Sequence, residues 1–184
     1  MERVEEPGER EVKNGREKIM RPAELEELLQ KLESQRQELV HQVQEMTEEE
    51  AGRRPSGGDW SAKEHLVHLA AFERFWLEWA LKVRDESGCE VGPPSPNPSA
   101  YPEAETRSVA DLLQELASAR ADTIAAIEGL SDDEMKRRGK HLLFGEMSVL
   151  QMLRSLYRHD RMHIDQMAGR EGSFRAGGPG GPKI

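Results

Sequence analysis

Two histidines near the end of the chain have the spacing of metal ligands. His159 and His163 stand four residues apart in YRHDRMHIDQM, a segment whose apolar residues recur at helical spacing. Side chains at positions i and i+4 lie on one face of a helix, so both imidazoles can reach one ion. Such pairs are more often incidental than ligand-forming, and a third ligand is needed to make a site.

Two other histidines could supply that third ligand. His68 lies near the start of a predicted helix and His163 near the end of another, so the two are level if these helices run antiparallel. All three imidazoles then lie toward one mouth of a helical bundle. His65 lies nearer the centre of the apolar stripe of the same helix, and it is either a core histidine or the ligand in place of His68. Spacing alone leaves these two alternatives close to even.

Three imidazoles at one mouth would form a metal site of the catalytic type. Such a site keeps a coordination position open for water or substrate. A divalent ion there lowers the pKa of bound water or of a thiol and polarises a carbonyl group. Imidazole suits zinc, nickel, copper or iron, and of these we expect zinc or nickel.

Two polar residues beside the histidines are further candidates. Asp160 falls near the middle of the apolar face of its helix, where an unpaired carboxylate is costly. It either orients a ligand histidine or forms a structural ion pair with an arginine such as Arg158 or Arg161, and we favour the ion pair slightly. Gln166 follows His163 by three residues and is either an ordinary polar residue or a substrate-binding one.

The remaining histidines and the tryptophans are expected to have no part in the chemistry. His41 and His141 are interpreted as surface or loop residues. The tryptophans are interpreted as core and bundle-cap residues, with the wall of an aromatic pocket as the less favoured alternative: Trp60, Trp76 and Trp79.

Four amphipathic segments predict an all-α fold. We expect a four-helix bundle with up-down-down-up topology, because the link over residues 85–107 is long enough to cross the bundle between the second and third helices. The first and last links are shorter and indicate antiparallel neighbours. No convincing strand is seen, apart from a brief extended piece expected in KHLLFGEMS, and Ser131 is predicted to start one short helical turn. The predicted helices cover about 22–46, 61–84, 108–129 and 148–169.

Composition sets the domain organisation and excludes several functions. Of 184 residues only 36% are hydrophobic, because residues 1–21 resemble a charged disordered arm and residues 171–184 a disordered Gly/Pro-rich tail. The bundle domain is assigned to residues 22–170. A net charge of −9 without a basic stripe argues against nucleic acids and anionic membranes as partners.

Features that are absent from the sequence indicate where in the cell the protein is expected. No apolar run is long enough for a membrane span, and the first residues have no apolar stretch of a secretory signal. The lone Cys89 excludes an intramolecular disulfide and a zinc site built from several cysteines. We therefore expect a cytoplasmic protein.

Two motifs resemble those of the DinB-like (damage-inducible) superfamily over about residues 22–170. In WSAKEHLVHLAAFERFW a histidine follows the tryptophan by eight positions, which selects His68 over His65. The segment SVLQMLRSLYRHDRMHIDQMAGR is similar to the last helix of that family, whose H-x-x-x-H and Gln fall on His159, His163 and Gln166. The resemblance implies an up-down-down-up bundle of the YfiT-like metalloenzyme type, a three-histidine divalent metal site and a homodimer.

The resemblance also suggests activities. Members of this superfamily include transferases and isomerases that use low-molecular-weight thiols such as bacillithiol or mycothiol, and some relatives are assigned as metal-dependent hydrolases. Our first hypothesis is a metal-dependent thiol S-transferase that acts on a small electrophile. The second is a stress-related bundle without catalysis, and the third is a hydrolase in which Asp160 would act as the base.

Overall fold

The computed structural model describes residues 21–55, 59–92 and 101–170. The predicted arm, except for Arg21, and the predicted tail lie outside the described residues. Four long helices confirm the predicted bundle, with ends within about three residues of those expected from the amphipathic pattern. Their bounds are α1 Ala23–Gln44, α3 Ala62–Asp85, α5 Val109–Ile127 and α7 Val149–Met167, and the short helices are α2 Glu48–Gly52, α4 Glu103–Thr106 and α6 Asp132–Lys136.

Contacts at one end of the bundle establish the direction of each helix. Gln42 near the end of α1 donates a hydrogen bond to the carbonyl of Ile164 near the end of α7, at 3.4 Å. Lys63 at the start of α3 donates to the carbonyl of Arg107, just before α5, at 2.8 Å. The end of α1 lies here too, because Glu48 of α2, which follows α1 closely in the chain, accepts a hydrogen bond from the backbone N–H of Val109 at the start of α5. Helices α3 and α5 are therefore parallel, and the predicted up-down-down-up topology is confirmed.

The helices joined by the first and last links lie diagonally across the bundle. Helix α3 packs against α5 and α7, and α1 packs against α7 and, over a smaller area, α5. The expectation that these links join neighbouring helices is wrong, although the joined helices do run antiparallel. The reason is that the links contain structure of their own, α2 in one and α6 with two strands in the other, which carries the chain across the bundle end.

A small sheet covers the end of α3 that is distant from His65 and His68. Its strands are β1 Glu90–Val91, β2 Arg138–His141 and β3 Gly145–Ser148, in the order β1-β2-β3, with β1 parallel and β3 antiparallel to β2. The extended piece expected in KHLLFGEMS is present as part of β2 and β3, whereas the sheet as a whole was not predicted. Strands of two and four residues are too short to give a recognisable period of alternation.

One charged residue from each long helix meets the others in the interior. Arg36 of α1 and Arg120 of α5 both bind Glu73 of α3 and Asp160 of α7, and all four side chains are at most 7% exposed. We call Arg36, Glu73, Arg120 and Asp160 the buried tetrad. Its net charge is zero, and each guanidinium also donates to a backbone carbonyl, Arg36 to Leu116 and Arg120 to Leu32.

The tetrad confirms an ion pair for Asp160 but corrects its partner. We expected an arginine of the same helix, such as Arg158 or Arg161. Arg161 instead forms an exposed pair with Glu38 at 2.8 Å and a longer one with Asp165 at 3.4 Å. Residues on the same helix within two positions of Asp160 point in different directions, so they cannot reach a carboxylate that faces the bundle axis.

Apolar side chains fill the bundle on both sides of the tetrad. One cluster surrounds the end that carries the sheet, and the other lies at the end that carries the histidines. None of the described helices combines the length and the apolar character that a membrane span requires.

Candidate metal centre

Three of the six histidines converge between α3 and α7. The Nε2 atom of His159 lies 3.2 Å from Nε2 of His68 and 3.0 Å from Nε2 of His163. Potential ligand atoms of all three lie within 4.8 Å of one another, and each residue is at most 3% exposed. Helix α7 carries two of these histidines one turn apart, and α3 carries the third, which is level with them because α3 runs antiparallel to α7.

The spacing of these nitrogens fits a small divalent ion. Bonds of about 2.0–2.1 Å to zinc at a tetrahedral angle place two ligand nitrogens roughly 3.3–3.4 Å apart. The separations of His159 Nε2 from the other two Nε2 atoms, 3.0 and 3.2 Å, are close to this value. Three nitrogens leave at least one position of the ion for another ligand, so the donor set can hold a metal of the catalytic type.

Burial keeps the three imidazoles neutral. Loss of solvation lowers the pKa of His68 to about 4, with a smaller contribution from the neighbouring His65. The same burial, reinforced by the neighbouring histidines, holds the pKa values of His159 and His163 well below 6.5. Neutral imidazole is the form that binds a metal ion, because its second nitrogen keeps a free lone pair.

His65 lies beside the converging histidines but does not belong to the group. Its ring centre is 4.8 Å from that of His163, and the residue is buried on α3 one turn before His68. Burial lowers its pKa to about 4, although Glu64 and Asp59 oppose the shift. Of the two alternatives that spacing left open, the structure brings His68 into the group.

Aromatic rings enclose the histidine group. Phe72, one turn after His68 on α3, stacks on the His159 ring at 3.5 Å between centres and 26° between planes. Trp60 lies 4.7 Å from the His68 ring and 6.2 Å from that of His163. Of the two interpretations of Trp60 from the sequence, the less favoured one, a wall of an aromatic pocket, agrees with these contacts.

Tyr101 is a site residue that the sequence analysis missed. Its hydroxyl lies 2.7 Å from Nδ1 of His68, and its backbone N–H donates to a carboxylate oxygen of Glu64 at 3.2 Å. It lies within the link over residues 85–107, outside every helix that the sequence predicts, so no helical pattern marked it as a site residue. Burial, with a contribution from Glu103, raises the pKa of the Tyr101 phenol to about 12.

Glu64 connects Tyr101 to the start of α3. It completes the capping box with Ser61, accepting from the Ser61 backbone N–H at 2.9 Å, and it is paired with Arg54. Burial alone would raise the pKa of Glu64. The bonds from Arg54, Ser61 and Tyr101 outweigh burial and lower this pKa to about 2.

Of the two polar residues that the sequence offered as further site candidates, Asp160 is buried and Gln166 is exposed. Asp160 is 1% exposed, and both of its oxygens are engaged by Arg36 and Arg120, so it is not a ligand of the group. Gln166 is exposed at the end of α7. Its side chain lies near enough to His163 to favour the protonated ring, but no hydrogen bond of ordinary geometry joins them.

The interpretation of His41 as a surface residue is confirmed, and that of His141 is wrong. His41 is exposed on α1. His141 is 1% exposed and is stacked between Trp76 and Phe144, at 5.1 and 4.7 Å between ring centres. The turn between β2 and β3 folds against α3 and buries this ring, whose Nδ1 accepts from the backbone N–H of Leu143.

The molecule is an up-down-down-up helical bundle in which three histidines converge between the second and fourth long helices. This combination of fold and site is that of a helical bundle with a candidate metal centre. The sequence profile of the DinB superfamily matches residues 9–167. The chain belongs to this superfamily.

Known relatives agree with this assignment. The protein YuaE of Bacillus subtilis (strain 168) is 27% identical over 146 residues, which are 72% of this chain and 90% of YuaE. YfiT from Bacillus subtilis, described as a probable metal-dependent hydrolase with an unusual four-helix bundle topology, superposes with a TM-score of 0.69 at 18% identity, over 82% of this chain and 88% of YfiT. A mycothiol-dependent maleylpyruvate isomerase gives a TM-score of 0.57 at 18% identity, over 78% of this chain and 60% of the isomerase.

Proposed function

We propose that this chain binds a divalent metal ion, zinc or nickel, through His68, His159 and His163, and that it is a metal-dependent thiol S-transferase. The substrates would be a small electrophile and a low-molecular-weight thiol of the bacillithiol or mycothiol type. The observation that carries the proposal is the convergence of three buried, neutral imidazole nitrogens within 4.8 Å of one another. A divalent ion bound there would lower the pKa of a coordinating thiol and so favour the nucleophilic thiolate at neutral pH.

The residues of the chain would make this chemistry favourable in two ways. Neutral imidazoles leave the charge of the ion uncompensated, which favours an anionic ligand such as a thiolate in the open position. The aromatic rings of Trp60 and Phe72 lie against the ligands and exclude water. In such a low-dielectric site the attraction between the ion and a thiolate is stronger than in water.

The position of Asp160 favours a transferase over the hydrolase considered in the sequence analysis. That hydrolase needed Asp160 as a base to activate water. Its carboxylate is held by Arg36 and Arg120 instead, and the hydrogen bonds from both arginines occupy its two oxygens. A thiol bound to a metal ion needs no such base, because the ion itself lowers the thiol pKa.

A metal-dependent hydrolase is the second candidate, and His65 is the observation in its favour. This imidazole is neutral, lies beside His163, and its buried Nδ1 has no hydrogen-bond partner among the described residues. A neutral imidazole this close to the three histidines could accept a proton from water.

The test begins with metal content. Elemental analysis of the purified wild type is expected to show about one divalent ion per chain, with loss of the ion in His68→Ala, His159→Ala and His163→Ala. His41→Ala is the matched control and should keep the metal, because His41 is exposed on α1. Unchanged metal content in the three site variants would refute the assignment of the ligands.

Activity assays then separate the reactions. The loaded protein is incubated with bacillithiol or mycothiol and a bimane electrophile, and thiol consumption is followed; a transferase loses this activity in His159→Ala. Hydrolysis of simple esters without any thiol, lost in His65→Ala, would support the hydrolase instead. Stoichiometric metal without either activity would support the non-catalytic bundle.

Three further expectations belong to the same proposal. We propose a homodimer in the cytoplasm, with no nucleic acid or membrane as a partner. Light scattering on the purified full chain tests the dimer, since its mass should be twice that of the 20.8 kDa chain.

A further inference from the structure

Tyr101 makes the one side-chain hydrogen bond to the outer nitrogen of a candidate ligand among the described residues. Its hydroxyl lies 2.7 Å from Nδ1 of His68. The buried Nδ1 atoms of His159 and His163 have no such bond. His159 is instead stacked on Phe72, so packing, rather than a hydrogen bond, fixes that ring.

The bond to Tyr101 matches the tautomer of His68 that metal binding requires. A neutral imidazole has one N–H, and a metal ion bound at Nε2 leaves the proton on Nδ1. That N–H then donates to the phenolic oxygen of Tyr101. The same bond restricts rotation of the ring, so Nε2 stays directed at Nε2 of His159, 3.2 Å away.

The phenol is itself fixed by the start of α3. The backbone N–H of Tyr101 donates to Glu64, and the Tyr101 ring packs against Trp60 at 5.1 Å between ring centres. Glu64 lies one turn before His68 on the same helix and is bound to Ser61 and Arg54. The acceptor and the imidazole that it orients are therefore attached to one rigid element.

We propose that Tyr101 is a positioning residue for the metal ligand His68, which fixes the ring orientation by accepting the Nδ1 proton when Nε2 binds the ion. This proposal rests on the proposed metal function. Partners of this kind typically contribute 10–100-fold to metal affinity. The chain contains two tyrosines, and the other one, Tyr157, lies on the half of α7 that carries the sheet-side core and provides a matched control.

The experiment is a titration of the metal-free full chain with Co²⁺, followed by its visible absorption. We expect Tyr101→Phe to raise the Kd for Co²⁺ 10–100-fold and to shift the absorption bands, because the ring remains but the acceptor is lost. Tyr157→Phe is expected to match the wild type in both measurements. Thermal unfolding of the metal-free variants establishes that each is folded.

The outcomes distinguish the two proposals. If the wild type binds Co²⁺ and Tyr101→Phe binds it with the same Kd and spectrum, the role of Tyr101 is refuted and the metal site stands. If the wild type binds no Co²⁺, Zn²⁺ or Ni²⁺, both proposals fail. A second measurement needs no variant: ¹⁵N NMR of the Zn²⁺-loaded wild type should show a protonated Nδ1 on His68, and a proton on Nε2 instead would overturn the inference.

Discussion

Asp160 follows His159 directly in α7, yet its carboxylate binds Arg36 of α1 through two hydrogen bonds of 3.1 and 3.0 Å. Consecutive residues of a helix point about 100° apart, so one position can face the candidate metal centre while the next faces the bundle axis. The buried tetrad is thus joined through the backbone of α7 to a candidate ligand, although it is not part of the candidate metal centre.

Removal of one charge from the tetrad should destabilise the fold. Asp160→Asn leaves Arg36 and Arg120 with a single buried carboxylate, Glu73, and we expect a loss of about 3–5 kcal/mol in the free energy of unfolding. Urea denaturation measures this loss. The control is Arg161→Ala, which removes an exposed pair with Glu38 and should change stability by less than about 0.5 kcal/mol. Equal effects of the two substitutions would contradict a central role for the tetrad.

Metal ions should stabilise the folded protein. A ligand that binds only the native state at about 100 times its Kd contributes about 2.7 kcal/mol, which corresponds to a rise in Tm of roughly 5–10 °C for a domain of this size. Differential scanning calorimetry of the wild type with Zn²⁺ or Ni²⁺, before and after chelation, measures the rise. His159→Ala should show none. A chelator-independent Tm in the wild type would argue that no ion is held by the native state.

The buried histidines should make the metal-free protein sensitive to mild acid. Burial lowers the pKa of His65 and of His68 from 6.5 to about 4. Between these values the unfolded chain binds protons that the native state does not, so stability is complete above pH 6.5 and falls as the pH decreases toward 4. Each of the two residues contributes a slope of about 1.4 kcal/mol per pH unit.

Denaturation in the presence of a chelator, repeated from pH 7 to 4.5, tests this dependence. His65→Leu should flatten the slope by the contribution of about one proton. His41→Ala should leave the slope unchanged, because His41 is exposed. A slope in His65→Leu equal to that of the wild type would mean that His65 titrates normally in the folded protein.

The contact between the sheet and α3 should depend on the absence of a side chain at Gly139. A Cβ atom there would collide with Val83 of α3 and would lie 3.0 Å from the backbone oxygen of Cys89. We expect Gly139→Ala to cost about 1–3 kcal/mol by overpacking, measured by urea denaturation. Gly129→Ala is the control, since nothing lies within 4 Å of its Cβ position. An equal result for both would show that the sheet can move away from α3 at little cost.

The helices could be predicted because their starts and their apolar faces depend on residues that are close together in the sequence. Ser61 and Ser148 each begin a helix with a capping box, and the apolar residues that follow repeat at the helical period. The diagonal arrangement was not predictable in this way. It depends on how the links pack on the bundle ends, which no spacing within a single helix reports.

The part of the candidate site that lies on one face of a single helix could be predicted from the sequence. His159 and His163 follow from i and i+4 spacing, whereas the choice between His65 and His68 depends on the rotation of α3 relative to α7. Tyr101 was missed because it comes from a different part of the chain, 33 residues after the histidine that it contacts.

Long sequence separation also hid the partners of two other residues. Arg36 lies 124 residues before Asp160, and no local signal joins them. His141 was expected to be a surface or loop residue, yet its ring is buried against Trp76 of α3. In each case tertiary packing, and not the neighbouring sequence, decides the environment.

The buried tetrad has a consequence for how the molecule opens. A single helix that moved away from the bundle would leave the charges of the other three in an apolar interior, and such a partly open state is costly. The four long helices should therefore separate together, as one cooperative unit. Amide hydrogens next to the three histidines would then exchange with solvent only as fast as those in α1 and α5, which contribute no ligand.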